Sequence, residues 1–127
     1  MSASNSTFRN LFLQNFKVIG GSNVNNLGSL LGECTSSCDI TNVHVCSSQI
    51  QGKCGIGGIA GNLMSSNISL CTVQDTLVSY TGSSNYYGGI FGYGTLVMMT
   101  ECFNLGYSNS STQVIVSGHC YVGGLSL

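Results

Sequence analysis

Apolar residues in this chain come in short alternating runs that return at a regular interval. Phe8, Ile40, Ile68 and Met99 each open such a run. Leu11, Val43, Cys71 and Cys102 stand three positions on, and Leu13, Val45, Val73 and Asn104 five positions on. Period-two alternation of this length predicts half-buried β-strands, and no apolar stripe of helical period spans any such stretch. A second short run follows in each copy: Phe16-Lys17-Val18-Ile19, Gln49-Ile50-Gln51, Leu77-Val78-Ser79-Tyr80 and Val114-Ile115-Val116-Ser117. Gly20, Gly52, Gly82 and Gly118 close these runs. The third run carries the remaining glycines, as Leu27-Gly28-Ser29-Leu30-Leu31-Gly32, Ile56-Gly57-Gly58-Ile59-Ala60-Gly61, Tyr87-Gly88-Gly89-Ile90-Phe91-Gly92 and Val122-Gly123-Gly124-Leu125. The first glycines of these stretches are 29, 31 and 35 residues apart. A period in that range marks a repeat architecture.

Segments of about five residues, repeating every 30 or so with no helix between, cannot build βαβ units. They can wind as coils in which each strand pairs with its equivalent in the next coil, about 4.8 Å away. The expected fold is therefore all-β: a parallel β-solenoid (β-helix) of about four coils, with about three short strands per coil. It covers residues 8–127, behind a small polar tail at 1–7 that is expected to be loosely held. The columns Gly32/Gly61/Gly92 and Gly20/Gly52/Gly82/Gly118 read as corners, where glycine supplies positive φ and close backbone approach. The apolar columns Leu27/Ile56/Tyr87/Val122 and Leu30/Ile59/Ile90/Leu125 lie three positions apart. Strict alternation cannot turn both inward, so a bulge or bend is expected at the intervening glycine pair. The last copy breaks off inside its motif without a polar cap, which suggests a segment of a longer array.

Gly57-Gly58-Ile59-Ala60-Gly61 and Gly88-Gly89-Ile90-Phe91-Gly92, with Asn67-Ile68-Ser69-Leu70-Cys71 downstream, resemble the GLUG repeat. The likeness runs from Phe8 to Leu127, with Ser29 in place of one glycine and Ser126-Leu127 in place of the last motif's end. It implies a repetitive, adhesin-like surface protein with β-solenoid structure. It implies no catalytic residues.

Composition narrows the function classes. Hydrophobic residues make up 43% of the chain, enough for a core, but charged residues only 6%, against about a quarter in ordinary globular proteins. The polar surface falls to 20 Ser and 12 Asn. A net charge of −1 gives no electrostatic footprint for nucleic acid. No apolar run is long enough for a bilayer-crossing helix. A Gly-rich phosphate loop is set aside because no Lys follows at the required spacing.

Candidate chemistry is sparse. Seven cysteines invite a disulfide or zinc reading, but register places Cys71 and Cys102 in one column as stacked thiols behaving as small apolar residues. Cys34 and Cys38 are close enough in sequence for a bridge in an oxidising compartment, and Cys54 and Cys120 lie two coils apart. Acid–base work falls to Glu33, Asp39, Asp75, Glu101, His44 and His119. Register scatters the carboxylates, whereas glycoside hydrolysis needs two at a set separation. No catalytic, cofactor or metal residue is assigned, and the chain is expected not to be an enzyme. Asn67 and Asn109 head possible glycosylation sequons. The expected function is a structural or adhesive segment of a larger cell-surface or secreted protein, with adjacent repeats, other copies of itself or glycans as partners. The alternatives are a carbohydrate- or ice-binding module and a self-assembling, fibre-forming segment.

Overall fold

The computed structural model describes residues 1–21, 23–80, 86–105, 115–116 and 122–123. The chain is an all-β parallel solenoid of about three turns, without a helix among the described residues. Four sheets run along the axis. The first holds Ser2–Ala3, Leu31–Cys34, Ala60–Met64 and Phe91–Thr95. The second holds Thr7–Gln14, Asp39–Cys46, then Asn67–Ser69 with Thr72–Gln74, then Met98–Thr100 with Phe103–Leu105. The third holds Lys17–Ile19, Gln49–Gly52, Leu77–Tyr80 and Ile115–Val116, and the fourth Ile56–Gly57, Tyr87–Gly88 and Val122–Gly123. Every pairing is parallel and joins equivalent positions one coil apart.

A coil has four sides where three strands were expected, because the glycine-rich run is divided between two sheets. Ile56–Gly57 belongs to the fourth sheet and Ala60–Met64 to the first, with the chain bending at Gly58 and Ile59. That bend turns Ile56 and Ile59 both into the core, fully buried, which simple alternation forbids. The solenoid makes about three turns, against the four coils expected. Residues 1–7, expected as a tail, open the first coil instead. Ser2 pairs with Glu33 and Ala3 with Cys34, while the Met1 carbonyl accepts the Gly32 and Glu33 amides at 2.9 and 3.2 Å. Backbone donors on an otherwise open strand edge hold this segment.

The columns read from the sequence stand in the second sheet. Phe8, Ile40, Ile68 and Met99 stack, as do Leu13, Val45, Val73 and Asn104. Ile40, Val43, Val45, Ile68, Cys71 and Val73 are sealed from solvent in the middle coils, each large side chain contributing about 1.5–3 kcal/mol. A smaller cluster of Ile50, Ile56, Val78 and Tyr87 fills the space between the third and fourth sheets.

The corners differ from expectation. Gly52 pairs with Tyr80. Gly82 and Gly118 lie outside the described residues. The turning is done by single left-handed residues, with φ of 47–59°. They stack in three columns: Asn5/Ser37/Ser65/Leu96, Asn10/Asn42/Leu70/Glu101 and Asn15/Ser47/Asp75. Asn and Asp visit this region more readily than other side chains; the serines, Leu70, Leu96 and Glu101 each occupy it at a cost of about 1–2 kcal/mol. Of the glycines, Gly61 shows the role the motif does have. A Cβ there would run into the Gly55 carbonyl oxygen and the Leu27 amide nitrogen, so the glycine is a close-packing device between backbones.

Candidate functional site

Each left-handed corner throws the next residue inward, and where that residue carries a hydroxyl or thiol it bridges two coils. Ser66 donates to the Met64 carbonyl across its own corner at 2.7 Å and accepts the Cys38 amide of the preceding coil at 3.1 Å. Ser48 does the same with Cys46 O (2.8 Å) and the Phe16 amide (3.2 Å). Cys71 does so with Ser69 O (3.0 Å) and the Val43 amide (3.4 Å). Thr76 donates to Gln74 O and Cys102 to Thr100 O. The buried polar residues of this core are these corner bridges. Sequence reading missed them; the signal was a Ser, Thr or Cys directly after a turn-type residue, in Ser47-Ser48, Ser65-Ser66 and Asp75-Thr76.

Cys71 and Cys102 directly precede the paired Thr72 and Phe103, and both are buried. The neighbouring Cys102 thiol and burial push Cys71 well above the ordinary thiol range. The Cys71 thiol, with backbone donors, lowers Cys102 to about 7. Cys34 and Cys38 form a disulfide with Cα atoms 6.3 Å apart. Cys46 and Cys54 are free, as are the stacked pair, and Cys120 lies outside the described residues.

The outward face of the second sheet carries two ladders of side-chain hydrogen bonds parallel to the axis. His44 shares a column with Phe12, Thr72 and Phe103. Its Nδ1 meets Thr72 Oγ1 and its Nε2 meets Asn42 Oδ1, both at 2.7 Å. Asn42 Nδ2 in turn donates to Asn10 Oδ1 at 2.8 Å. The second ladder joins Arg9 to Asp39 (3.0 Å), Thr41 to Asp39 (3.0 Å), and Thr41 to Ser69 (3.2 Å). With both ring nitrogens engaged, His44 is a rung, not a free base. His119 lies outside the described residues.

The carboxylates stay apart. Glu33 accepts Asn26 Nδ2 at 3.1 Å, Asp39 holds Arg9, and Asp75 and Glu101 sit at different corners. No two share a column, so the paired geometry of glycoside hydrolysis is absent among the described residues. Nor do three His, Cys, Asp or Glu side chains gather for a metal ion among those residues. A shallow groove of about 490 Å³ follows the corner between the second and third sheets, lined by Asn15, Lys17, Ser47, Gln49, Asp75 and Leu77. Asp75 Oδ1 is buried there without a hydrogen-bond partner among the described residues.

The motif glycines fall where backbones crowd. Gly28 and Gly57 face the backbone around Ala60 and around Phe91 and Gly92 respectively, Gly58 faces the Gly89 carbonyl, and Gly92 the backbone of Gly55 and Ile56. Gly32 faces Met1 and Asn26. Gly88 pairs with Gly57 and Gly123, and Gly124 lies outside the described residues. Asn67 is exposed at the start of its strand; Asn109 lies outside the described residues.

No known protein-family model matches the chain, and no characterised protein or solved structure matches it either.

Proposed function

We propose that the chain is a structural and adhesive repeat segment of a larger cell-surface or secreted protein, of the kind the GLUG resemblance implies, and that it performs no catalysis. The observation that carries this reading is where the chemistry-bearing side chains are used. His44, Asp39, Ser48, Ser66, Cys71 and Cys102 all hold one coil to the next. A site for chemistry leaves polar groups turned toward a substrate; here they are turned toward neighbouring coils. Among the described residues Ser, Asn and Thr are the commonest exposed side chains, interspersed with apolar groups such as Phe12, Ile19 and Leu96 and few charges, which suits a spacer that contacts glycans or protein without electrostatic steering. An extracellular setting fits the Cys34–Cys38 disulfide.

The test has two arms. Beads coated with the protein should adhere to one another or to arrayed glycans, and incubation with a polysaccharide panel should release no reducing ends. Beads inert toward both surfaces would remove the adhesive reading. Turnover of any polysaccharide above background would remove the non-catalytic one.

A further inference from the structure

Two thiols meet in the core, one coil apart. Cys71 and Cys102 are 31 residues apart in sequence, and hydrogen bonds fix the chain on both sides of them. The Leu70 amide donates to Thr100 O at 3.1 Å and the Phe103 amide to Cys71 O at 2.9 Å. Each cysteine follows a left-handed corner, Leu70 or Glu101, and each side chain turns inward, 0% and 9% exposed. The Cys102 thiol leans toward the coil that carries Cys71: it lies 3.5 Å from Ile68 O, and the Cys71 amide is among its donors. Backbones one coil apart are about 4.8 Å from each other, inside the Cα range of about 4.4–6.8 Å over which a disulfide closes without backbone movement. No other thiol of the described residues competes. Val43 stands below Cys71, Cys46 shares the column of Gln14 and Gln74, and Cys54 lies outside the strands.

We propose that Cys71 and Cys102 form a second disulfide site, which ties adjacent coils together through the core. The proposal rests on the extracellular setting of the reading above: where Cys34 and Cys38 are oxidised, a second close pair of thiols meets the same oxidant. That oxidant is a small-molecule or protein disulfide. The Cys102 thiolate attacks one of its sulfurs and expels the other as a thiolate. Cys71 then gives up its proton and attacks Cys102 Sγ, expelling the second sulfur. Two protein S–H bonds become one S–S bond, and the oxidant's disulfide takes up two electrons and two protons as two thiols. Cys102 leads because it is the more acidic of the pair. The new bond closes a loop of one full coil, whereas the Cys34–Cys38 bridge has a sequence separation of 4, and on the chain-entropy account the longer loop stabilises more. Joining the sulfurs turns Cys71 away from the Val43 amide, which offsets part of that gain.

Protein prepared with reductant, then refolded from urea with excess glutathione disulfide at pH 8, gives the oxidant access to every thiol. Alkylation in denaturant followed by mass measurement should then find Cys71 and Cys102 protected along with Cys34 and Cys38. The peptic fragments that hold Cys71 and Cys102 should travel as one until reduced. Cys71→Ser supplies an independent reading, since serine can still donate and accept at the corner and the Cys34–Cys38 bridge is kept. The rise in melting midpoint on oxidation should be about 5–10 °C larger in the natural chain than in this variant. Both thiols open to alkylation after oxidative refolding, a glutathione adduct persisting on Cys102, linkage of either thiol to Cys46, Cys54 or Cys120, or an equal rise in both chains would overturn the proposal. Beads that adhere although the bridge does not form leave the adhesive reading standing and remove this site alone. Beads that stay inert although the bridge forms remove the adhesive reading and leave the site.

Discussion

Replacing Ser66 by Ala tests whether the corner bridges hold the coils together. Ser66 is 1% exposed and its hydroxyl makes two backbone bonds, to Met64 O and from Cys38 N. The Met64 carbonyl keeps a second donor, the Ser37 amide at 3.2 Å, so it is not stranded. The Cys38 amide loses its acceptor in a site water does not reach. One stranded buried N–H costs about 1–3 kcal/mol, and loss of the other bond adds about 0.5–1.5. The expected destabilisation is about 2–3 kcal/mol, a large share of a total near 5–15. For a chain of this length the melting midpoint should fall by about 6–12 °C. Urea denaturation followed by far-UV circular dichroism reads the free energy directly. Ser65→Gly is the matched control: Ser65 is exposed and left-handed, with φ 47°, so glycine relieves strain and should stabilise by up to about 1 kcal/mol. A Ser66→Ala loss below about 0.5 kcal/mol would refute the bridging role.

Gly61→Ala should cost about 3 kcal/mol or more, because the added carbon meets backbone of three segments and no side chain can yield. Gly21→Ala, with open space around it, should change stability by less than about 0.5 kcal/mol, and thermal melts compare the pair. The stacked thiols predict a pH profile. Cys102, lowered to about 7 from an unfolded thiol near 9, binds fewer protons folded than unfolded between those values, so stability rises with pH across that window. Cys71, raised, keeps its proton longer when folded, so stability falls as pH climbs past the unfolded value. Denaturation from pH 6 to 10 checks both signs, and in brief iodoacetamide labelling at pH 8 Cys102 should react before Cys71. Reducing the Cys34–Cys38 bridge, which closes a loop of only a few residues, should lower stability by about 2 kcal/mol on the chain-entropy account. Equal melts with and without reductant would contradict that figure.

The fold was legible to the extent that it depends on side-chain burial. Alternation in Phe8-x-x-Leu11-x-Leu13 and its copies placed the second sheet in the register observed, because slipping by one residue would turn every apolar side chain to solvent. The bend at Gly58 could be inferred for the same reason, from Ile56 and Ile59 three apart. The corner positions were not legible, because glycine is only one way to turn. Leu70, Leu96 and Glu101 hold positive φ against their own preference, and nothing in those residue types announces it. Parallel stacking imposes the conformation: a column whose lower coil turns at Asn42 must turn at Leu70 to stay in register. The site-level picture ran out for a related reason. His44 and Asp39 look like reactive groups in the sequence, and only the neighbour one coil away turns them into rungs.

The residue types at the corners follow from the same geometry. After a left-handed residue the next side chain points inward, beneath the carbonyl of the residue before the corner and against the amide of the coil below. Alanine there would strand that amide, and a larger apolar group would displace it. A Ser, Thr or Cys is small enough to fit and can donate and accept at once. In the middle coils such residues fill the position at Ser48, Ser66, Cys71 and Thr76, with the disulfide-bonded Cys38 and the apolar Val43 as exceptions. Cys71 and Val43 occupy one column; the thiol accepts from the Val43 amide, whereas the valine side chain has no acceptor to offer the amide of Leu11. The apolar member is therefore tolerated on the side toward the first coil, where Leu11 is half-buried. Toward the middle, Cys71 must serve both coils. The two stacked thiols, Cys71 and Cys102, accordingly follow from corner geometry, whereas Cys38 at its corner is tied to Cys34.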